Sequence, residues 1–321
     1  MNSLSQSTAD LLKNDLLVDT SPIMVAAVNA ESELFDLQAG LVKADRITSA
    51  AKDAGAILVV FPELWLPGFI NGSPVGKRGM PPKPFKNYLD NSLEEGTPEW
   101  HALLKIAKDH QVYLSIGIAE KNMKEKHLYM TQLLIGPNGT VLDKRSKINP
   151  SGDERNYFSD VPMNGNLRVV NTPLGRIGQL SCGEHFRAHM TFNMMAQAEN
   201  IHIAAWPYNI VEGEGVWWEK YHMNMINSAY YAENSGAWTI LSAVGRSAIF
   251  NADGEIVVEA DNCDSDFAIA EIDRSAFNSI SRKNSYYTYN IISLIKENYP
   301  QQVDSDAAVE ELNQPDVTKV E

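Results

Sequence analysis

The sequence predicts an α/β fold in which two mixed sheets pack face to face and helices cover their outer surfaces. Apolar runs typical of strands buried on both faces alternate with segments of helical spacing, which is the pattern of an α/β domain. Strand pairs joined by tight turns add antiparallel hairpins to this pattern. The predicted strands are more than a single twisted sheet usually contains, so two packed sheets are the favoured arrangement.

The first half of the chain contains both helices and strands. A helix beginning at Thr97 is indicated by this capping residue and by Pro98 at the first helical position. The turn at 137–139 predicts a hairpin over 128–147, and the many proline and glycine residues of 67–96 indicate a long loop. The predicted helices span 33–53 and 97–110, and the predicted strands span 22–30, 56–61, 112–119 and 128–136.

The second half continues the alternation and adds a series of strands at its end. Helices are predicted at 184–198 and 215–235, and strands at 166–171, 176–181, 201–206, 237–244, 247–250, 255–259 and 266–271. We find no internal repeat and no linker before residue 300. The predicted organisation is a leader at 1–21, one domain at 22–300 and an acidic tail at 301–321 that is disordered or contacts a partner.

Composition excludes several classes of function. The formal net charge is −14, so the surface is unsuited to binding nucleic acid, which requires clustered lysine and arginine. Two cysteines among 321 residues make no disulfide framework and favour a reducing compartment. No apolar run approaches the roughly 20 residues that cross a bilayer, and 1–20 lacks the pattern of a secretory signal. These observations predict a cytoplasmic enzyme without a membrane partner.

Cys182 is the first candidate for chemistry. It follows an apolar strand and precedes Gly183, which we expect to turn the chain into a helix. Such a junction brings helix N-terminal N–H groups near the thiol and predicts a lowered thiol pKa. The alternative is a small buried hydrophobic residue, the commonest role of a free cysteine, and position alone leaves both open.

Two further polar residues end predicted strands. Glu63 follows a buried strand among apolar neighbours, which predicts a raised pKa and a general base, or else a buried ion pair. Lys147 ends the hairpin, where its ammonium group can stabilise a thiolate; alternatively it belongs to a surface cluster with Lys144 and Arg145. Together with Cys182 they form the minimum set for acyl transfer through a thioester.

Three segments carry a resemblance to a known family. Phe61 to Phe69, Lys147 to Pro150 with the following Glu154 and Arg155, and Cys182 to His185 resemble the three signatures of the nitrilase superfamily. The resemblance is closest to the true nitrilases and their cyanide-degrading relatives, and it covers residues 22–290. It implies an α-β-β-α sandwich.

The resemblance also implies a role for each site residue. Cys182 would attack the nitrile carbon, Glu63 would accept the thiol proton and activate water, and Lys147 would stabilise the tetrahedral intermediates. Glu154 matches the family's second glutamate, which helps to orient substrate and base. The implied product is a carboxylic acid plus ammonia, formed through a thioimidate and a thioester without metal or organic cofactor. The implied partner is a small nitrile.

Some positions depart from the family pattern. Lys144 competes with Lys147 for the role of the catalytic lysine, and only Lys147 lies at the correct distance from Glu154. Gly183 replaces a frequent tryptophan, which we expect to open space beside the nucleophile. Candidate substrate-binding residues are Gly183, His185, Trp206 and Tyr208, although such aromatic residues more often belong to a core or a subunit interface.

Several alternative functions stay open at this point. Within the superfamily they are an amidase, a carbamoyl hydrolase, and a cyanide hydratase or dihydratase. Outside it they are a non-catalytic relative and a zinc hydrolase using Cys182, His185 and His189, and a Cys–His pair with His185 is a further mechanism. Cys263 lies in an acidic turn and is interpreted as a bystander.

The outer helices predict self-association. The resemblance implies a homodimer or a larger spiral homo-oligomer, and the two C-terminal predicted helices are the candidate dimer face because they are rich in large apolar residues. These residues are Met190, Phe192, Met194, Met195, Trp217, Trp218, Met223 and Met225.

Overall fold

The computed structural model describes residues 17, 19–72, 79–163, 165–210 and 220–279. Within this part, the strands are β1 (Ile23–Val28), β2 (Leu58–Val60), β3 (Tyr113–Asn122), β4 (His127–Ile135), β5 (Val141–Ser146), β6 (Val170–Thr172), β7 (Gly175–Ser181), β8 (Ile201–Tyr208), β9 (Trp238–Val244), β10 (Arg246–Phe250), β11 (Ile256–Asp261) and β12 (Phe267–Ile272). The α-helices are α1 (Leu37–Asp53), α2 (Lys86–Asp90), α3 (Pro98–His110), α4 (Ala188–Met195) and α5 (Tyr221–Ser235).

The strands form two six-stranded sheets. The first has the order β12-β1-β2-β3-β4-β5 and the second the order β11-β10-β9-β8-β7-β6. In each sheet three central strands are parallel, β1-β2-β3 in the first and β7-β8-β9 in the second, and the outer pairings are antiparallel. The prediction of an α/β fold with two mixed sheets is confirmed.

Alternation along the strands separates the layers. In β1, Val25 and Ala27 belong to the apolar core between the sheets, whereas Ala26 and Val28 pack with the apolar faces of α1 and α3. On the outer face of the second sheet, α5 covers a smaller apolar cluster that contains Cys182. The order of layers is therefore helix, sheet, sheet, helix.

Two segments differ from the sequence prediction, and a third is described only in part. The predicted helix at 184–198 is instead a 3₁₀ turn, Cys182–Phe186, followed by the short α4. The predicted helix at 215–235 is confirmed from Tyr221 onward, and 215–219 lies outside the described residues. The predicted loop at 67–96 contains the single turn of α2. The predicted acidic tail at 301–321 and most of the leader also lie outside the described part.

The predicted dimer face is only partly available. Met190, Met194, Met195 and Met225 are buried within the chain's own core. Interpreting their apolar character as an intersubunit surface was therefore wrong, because α4 and α5 use these side chains to pack on the second sheet. Trp217 and Trp218 lie outside the described residues. No helix in the described ranges combines the length and apolar character that crossing a membrane requires.

Candidate active site

Four predicted site residues come together where strands of both sheets end. Nζ of Lys147 lies 2.9 Å from Oε1 of Glu63 and 2.8 Å from Oε2 of Glu154. Cys182 interacts electrostatically with all three of these charged groups. All four residues are buried, with exposed fractions of 3% or less. The structure thus gathers an ammonium, two carboxyl groups and a thiol from distant parts of the sequence.

Glu63 is held by a close backbone approach. It follows β2 and Pro62, and Gly117 of β3 donates from its N–H to the carbonyl of Pro62 at 3.2 Å. A Cβ on Gly117 would lie 2.4 Å from that same oxygen and 2.5 Å from the backbone nitrogen of Leu64. From the other sheet, the carbonyl of Trp206 accepts the N–H of Glu63 at 3.3 Å. Glu63 is therefore positioned by backbone contacts to both sheets.

Lys147 and Glu154 are connected by a tight local motif. Lys147 directly follows β5, and its N–H donates to the carbonyl of Met130 at 2.8 Å. Glu154 lies in a 3₁₀ turn, Gly152–Asn156, which begins with a capping box from Ser151. Oε2 of Glu154 accepts the N–H of Ser151 at 2.6 Å and the ammonium of Lys147 at 2.8 Å. One carboxylate oxygen therefore fixes both the turn and the lysine.

Cys182 itself makes the turn at the end of β7. It adopts a left-handed conformation with φ of 44°, which is unusual and strained for a residue with a side chain. The sequence predicts this turn at Gly183, but Gly183 has no left-handed φ, so that prediction is wrong. The expected space beside Gly183 is also filled, because a Cβ there would lie 2.6 Å from Oγ of Ser151.

Two residues that the sequence interpretation missed link these segments. Nη2 of Arg145 lies 2.7 Å from Oε1 of Glu184, and the same oxygen accepts the N–H of Ile148 at 3.0 Å. Oε2 of Glu184 accepts the N–H of Ser181 at 2.9 Å, which completes a second capping box. The signal was present as the repeated spacing Ser-x-x-Glu, at 151–154 and 181–184. Each copy places a buried glutamate beside the site.

The neighbouring lysine points away from this cluster. Lys144 forms ion pairs with Glu95 and Glu120 at 2.5 and 2.7 Å, and a third of its side chain is exposed. Lys147 is the lysine that faces Glu63 and Cys182. The alternative that Lys147 is a surface lysine is wrong.

Burial dominates the electrostatics of the site. Desolvation raises the pKa of Glu63 to about 8, against the opposing effect of Lys147, and Glu154 adds to the rise. Burial likewise raises the pKa of the Cys182 thiol well above its ordinary value, although Lys147 opposes this. The two carboxyl groups raise the pKa of Lys147 and keep it cationic. The expected lowering of the thiol pKa is therefore wrong, and the resting site holds a neutral thiol.

The predicted substrate-binding residues occupy different environments. Both ring nitrogens of His185 have protein partners, the carbonyl of Cys182 and the ring of His202, each at 3.0 Å. Trp206 stacks on His185 with ring centroids 5.0 Å apart. Tyr208 contacts Phe69 edge to face and, with Glu63, lines a small cleft. Of these aromatic residues, Tyr208 lines the cleft that reaches Glu63.

The ligand set of the zinc alternative is not assembled. His185 uses both nitrogens within the protein, and His189 is exposed at the start of α4. In the ranges that the structure describes, no three histidine, cysteine or acidic groups are arranged to hold a metal ion.

The fold and the site together define an α/β sandwich with a buried thiol facing a carboxyl and an ammonium group. Residues 24–282 match the family model described as carbon-nitrogen hydrolase. The chain belongs to this family and, through it, to the nitrilase superfamily.

Curated relatives agree with this assignment. A cyanide hydratase of Stereum hirsutum is 38% identical over 184 residues, which are 57% of this chain and 48% of that protein. An arylacetonitrilase of Aspergillus niger is 30% identical over 225 residues, which are 70% of this chain and 66% of that protein. The chain spans about half the length of most curated relatives that it matches.

Solved structures share the fold at low sequence identity. An amidase from Nesterenkonia matches with a TM-score of 0.63 and 16% identity, over 85% of this chain and 98% of that chain. Nit3 of Saccharomyces cerevisiae, a member of branch 10 of the nitrilase superfamily, matches with a TM-score of 0.62 and 17% identity, over 88% and 96%. At such identities the likeness concerns the fold alone.

Proposed function

We propose that the protein hydrolyses small organic nitriles to a carboxylic acid and ammonia, with Cys182 as the nucleophile. The observation that supports this most strongly is the buried contact of Lys147 with Glu63 beside a neutral thiol. In the first step the thiol sulfur bonds to the nitrile carbon and the thiol proton moves to Glu63. Glu63 then passes this proton to the nitrile nitrogen, which gives a thioimidate and restores the carboxylate.

Glu63 is suited to accept that proton. Both of its carboxylate oxygens are buried, and Oε1 faces the ammonium of Lys147 at 2.9 Å. Burial raises its pKa to about 8, which brings it closer to the thiol in basicity than an ordinary carboxyl group. Lys147 cannot serve as this base because its pKa is raised and it stays cationic.

Hydrolysis of the thioimidate then completes the reaction. Glu63 takes a proton from water, whose oxygen adds to the carbon and forms a tetrahedral intermediate. The ammonium of Lys147 offers donors to the charge that develops there, in a site that excludes bulk water. Glu63 returns the water proton to the nitrogen and then transfers the proton of the new hydroxyl, so that the carbon–nitrogen bond breaks, ammonia leaves and a thioester remains. A second water adds to the thioester carbon, the carbon–sulfur bond breaks, and the acid and the thiol are released.

A second candidate outcome is release of an amide. If the carbon–sulfur bond of the tetrahedral intermediate breaks first, the nitrile is hydrated rather than hydrolysed. The name cyanide hydratase, which several relatives carry, favours testing this outcome. The two outcomes share the same residues and differ only in which bond of one intermediate breaks.

A substrate panel with two product assays tests the proposal. The panel contains cyanide, aliphatic, aryl and arylacetonitriles and the matching amides, and ammonia and amide are measured separately. We expect Cys182→Ala to abolish both products, and Glu63→Gln and Lys147→Ala to lower kcat by roughly a thousandfold or more. Cys263→Ser, at an exposed site, is the control and should retain full activity. Product release by Cys182→Ala at the wild-type rate would refute the mechanism.

A further inference from the structure

A chain of buried polar side chains adjoins Cys182 and ends beneath α5. Nδ1 of His185 lies 3.0 Å from the carbonyl oxygen of Cys182, and its Nε2 lies 3.0 Å from Nε2 of His202. Nδ1 of His202 lies 3.1 Å from Oε1 of Glu199, whose Oε2 accepts the hydroxyl of Tyr231 at 2.5 Å. The four residues that contribute side chains, His185, His202, Glu199 and Tyr231, are each at most 7% exposed. The nitrile mechanism above uses none of them.

The direction of each hydrogen bond follows from its acceptor. A backbone carbonyl only accepts, so Nδ1 of His185 carries a hydrogen. Burial and the neighbouring His202 lower the pKa of His185 well below its ordinary value, so this ring is neutral and its Nε2 accepts. His202 must therefore donate from Nε2. A second hydrogen is then required between Nδ1 of His202 and Glu199, since two lone pairs would otherwise face each other at 3.1 Å.

Tyr231 holds the far end of this series of hydrogen bonds. Its hydroxyl donates to Oε2 of Glu199, and the facing Oε1 shares the second hydrogen with Nδ1 of His202. His202 and His185 therefore both donate in the direction of Cys182.

The chain reaches the sulfur through a single peptide group. The carbonyl of Cys182 accepts from His185, and the N–H of the same peptide, on Gly183, donates to the sulfur of Cys182. A donor on the carbonyl side of a peptide polarises it and strengthens its N–H as a donor. The hydrogen bond from His185 to the carbonyl of Cys182 also supports the strained left-handed conformation of Cys182.

The second sheet provides the space for this chain. Gly178 lies in the middle of β7, where a glycine weakens a strand. A Cβ built on Gly178 would lie 1.5 Å from Oε1 of Glu199 and 2.8 Å from the terminal methyl of Met194. The missing side chain thus admits the Glu199 carboxylate beside β7.

We propose that Glu199, His202 and His185 are positioning residues that orient the sulfur of Cys182 and stabilise its thiolate through the Cys182–Gly183 peptide. The proposal rests on the role of Cys182 as the nucleophile. Other charged groups face the same atoms: Lys147, Glu63 and Glu154 at the sulfur, and Arg145 and Lys147 at His185. A test must therefore change the hydrogen-bonded side chains from His185 to Tyr231 and leave the four charged groups just named in place.

Alkylation of the thiol measures its reactivity without any substrate. In a Cys263→Ser background, the rate of alkylation by iodoacetamide is followed against pH for Glu199→Gln. The amide keeps the size of the side chain but cannot share the second hydrogen with His202 as the carboxyl group does. We expect the apparent pKa of Cys182 to rise by about one unit, which lowers alkylation at neutral pH about tenfold. Tyr231→Phe should shift the profile in the same direction by less.

Thr239→Val supplies the matched control. Thr239 pairs with His202 in the register of β8 and β9 and is equally buried, but among the described residues its hydroxyl donates to the carbonyl of Ala237 and to no member of this series. Its alkylation profile should match that of the parent. Profiles of Glu199→Gln and Tyr231→Phe that superimpose on the parent, or a shift of equal size in Thr239→Val, would overturn the proposal.

A turnover measurement separates positioning from damage to the fold. Glu199→Gln should lower kcat with little change in KM, because the hydrogen-bonded side chains contact the nucleophile and not the substrate. If Glu199→Gln does not fold, Tyr231→Phe decides the question, since it removes one hydroxyl and keeps the ring. Alkylation reports on Cys182 even if the protein turns over no nitrile, so failure of the proposed function and failure of this inference are distinguishable.

Discussion

Arg145 and Glu184 form an ion pair sealed inside the protein, with Nη2 2.7 Å from Oε1 and both side chains 1% exposed. The pair joins β5, which leads into Lys147, to the turn that begins at Cys182. It therefore holds the segment that carries the cation against the segment that carries the nucleophile. Because neither charge is accessible to solvent, each depends on the other for its stability in the folded state.

Arg145→Met should be strongly destabilising. Removing one partner leaves the carboxylate of Glu184 buried without its counter-charge, and such changes cost about 3–5 kcal/mol of unfolding free energy. Urea denaturation measures this loss. Lys144→Met is the matched control on the adjacent residue, where a partly exposed pair contributes at most about 1 kcal/mol. Equal losses in the two variants would contradict the role assigned to the buried pair.

Activity should rise with pH through about pH 8. Glu63 must be ionised to accept the thiol proton, and its pKa is raised to about 8, so the base is protonated and inactive below that pH. Lys147 stays cationic across this range because its own pKa is raised. The measurement is kcat/KM from about pH 6 to about pH 10. A rate that is flat, or that falls as pH rises through 8, would exclude Glu63 as the base.

Glu63 should also make the folded state less stable at alkaline pH. Its folded pKa of about 8 exceeds its ordinary value of 4.5, so the folded state binds more protons between these values. The contribution of Glu63 to the free energy of unfolding is therefore fully present below about pH 4.5 and is lost as the pH rises from there through about 8. Glu63→Gln should therefore raise Tm more at about pH 9 than at about pH 5. Glu33→Gln, at a surface pair with Lys43, should show no such pH dependence.

We expect α5 to form part of a subunit interface. Ile226 and Tyr230 lie one turn apart on this helix and are 60% and 63% exposed, unlike the buried methionines of the same layer. Sedimentation at micromolar concentration should show a dimer or larger species, and the variant carrying Ile226→Glu and Tyr230→Glu should shift toward monomer. Val42→Glu, at a 71% exposed position on α1, is the control. A wild-type protein that sediments only as monomer would refute the expectation.

The strands, and the positions of Glu63, Lys147 and Cys182 at strand ends, could be predicted because their signals are local, whereas Glu154 was indicated only by the family resemblance. Continuous apolar runs such as 56–61 mark strands buried on both faces, and the polar residue that follows each run must lie at a strand end. Period-two alternation also indicates which side chains of a strand share a face. Along β5 it places Asp143 and Arg145 on the same buried face as Lys147 and turns Lys144 outward.

The remaining features depend on contacts between distant segments. The helix predicted from Glu184 onward is interrupted because Arg187 is extended, with φ of −100° and ψ of 99°, and separates the 3₁₀ turn from α4. The thiol pKa was predicted with the wrong sign because burial outweighs the nearby cation. Neither the depth of burial nor the partner of His202 is visible in a one-dimensional pattern.

The close approach of Gly117 to the Glu63 loop has a consequence for altering this protein. The clearance there is smaller than a methyl group, so Gly117→Ala would force apart the backbone that carries the proton acceptor. No charge, hydrogen-bonding group or reactive atom would be lost, but Glu63 would no longer be held in the position that the reaction requires. An inactive descendant of this chain can therefore retain every polar residue of its active site and differ by one carbon atom in a strand.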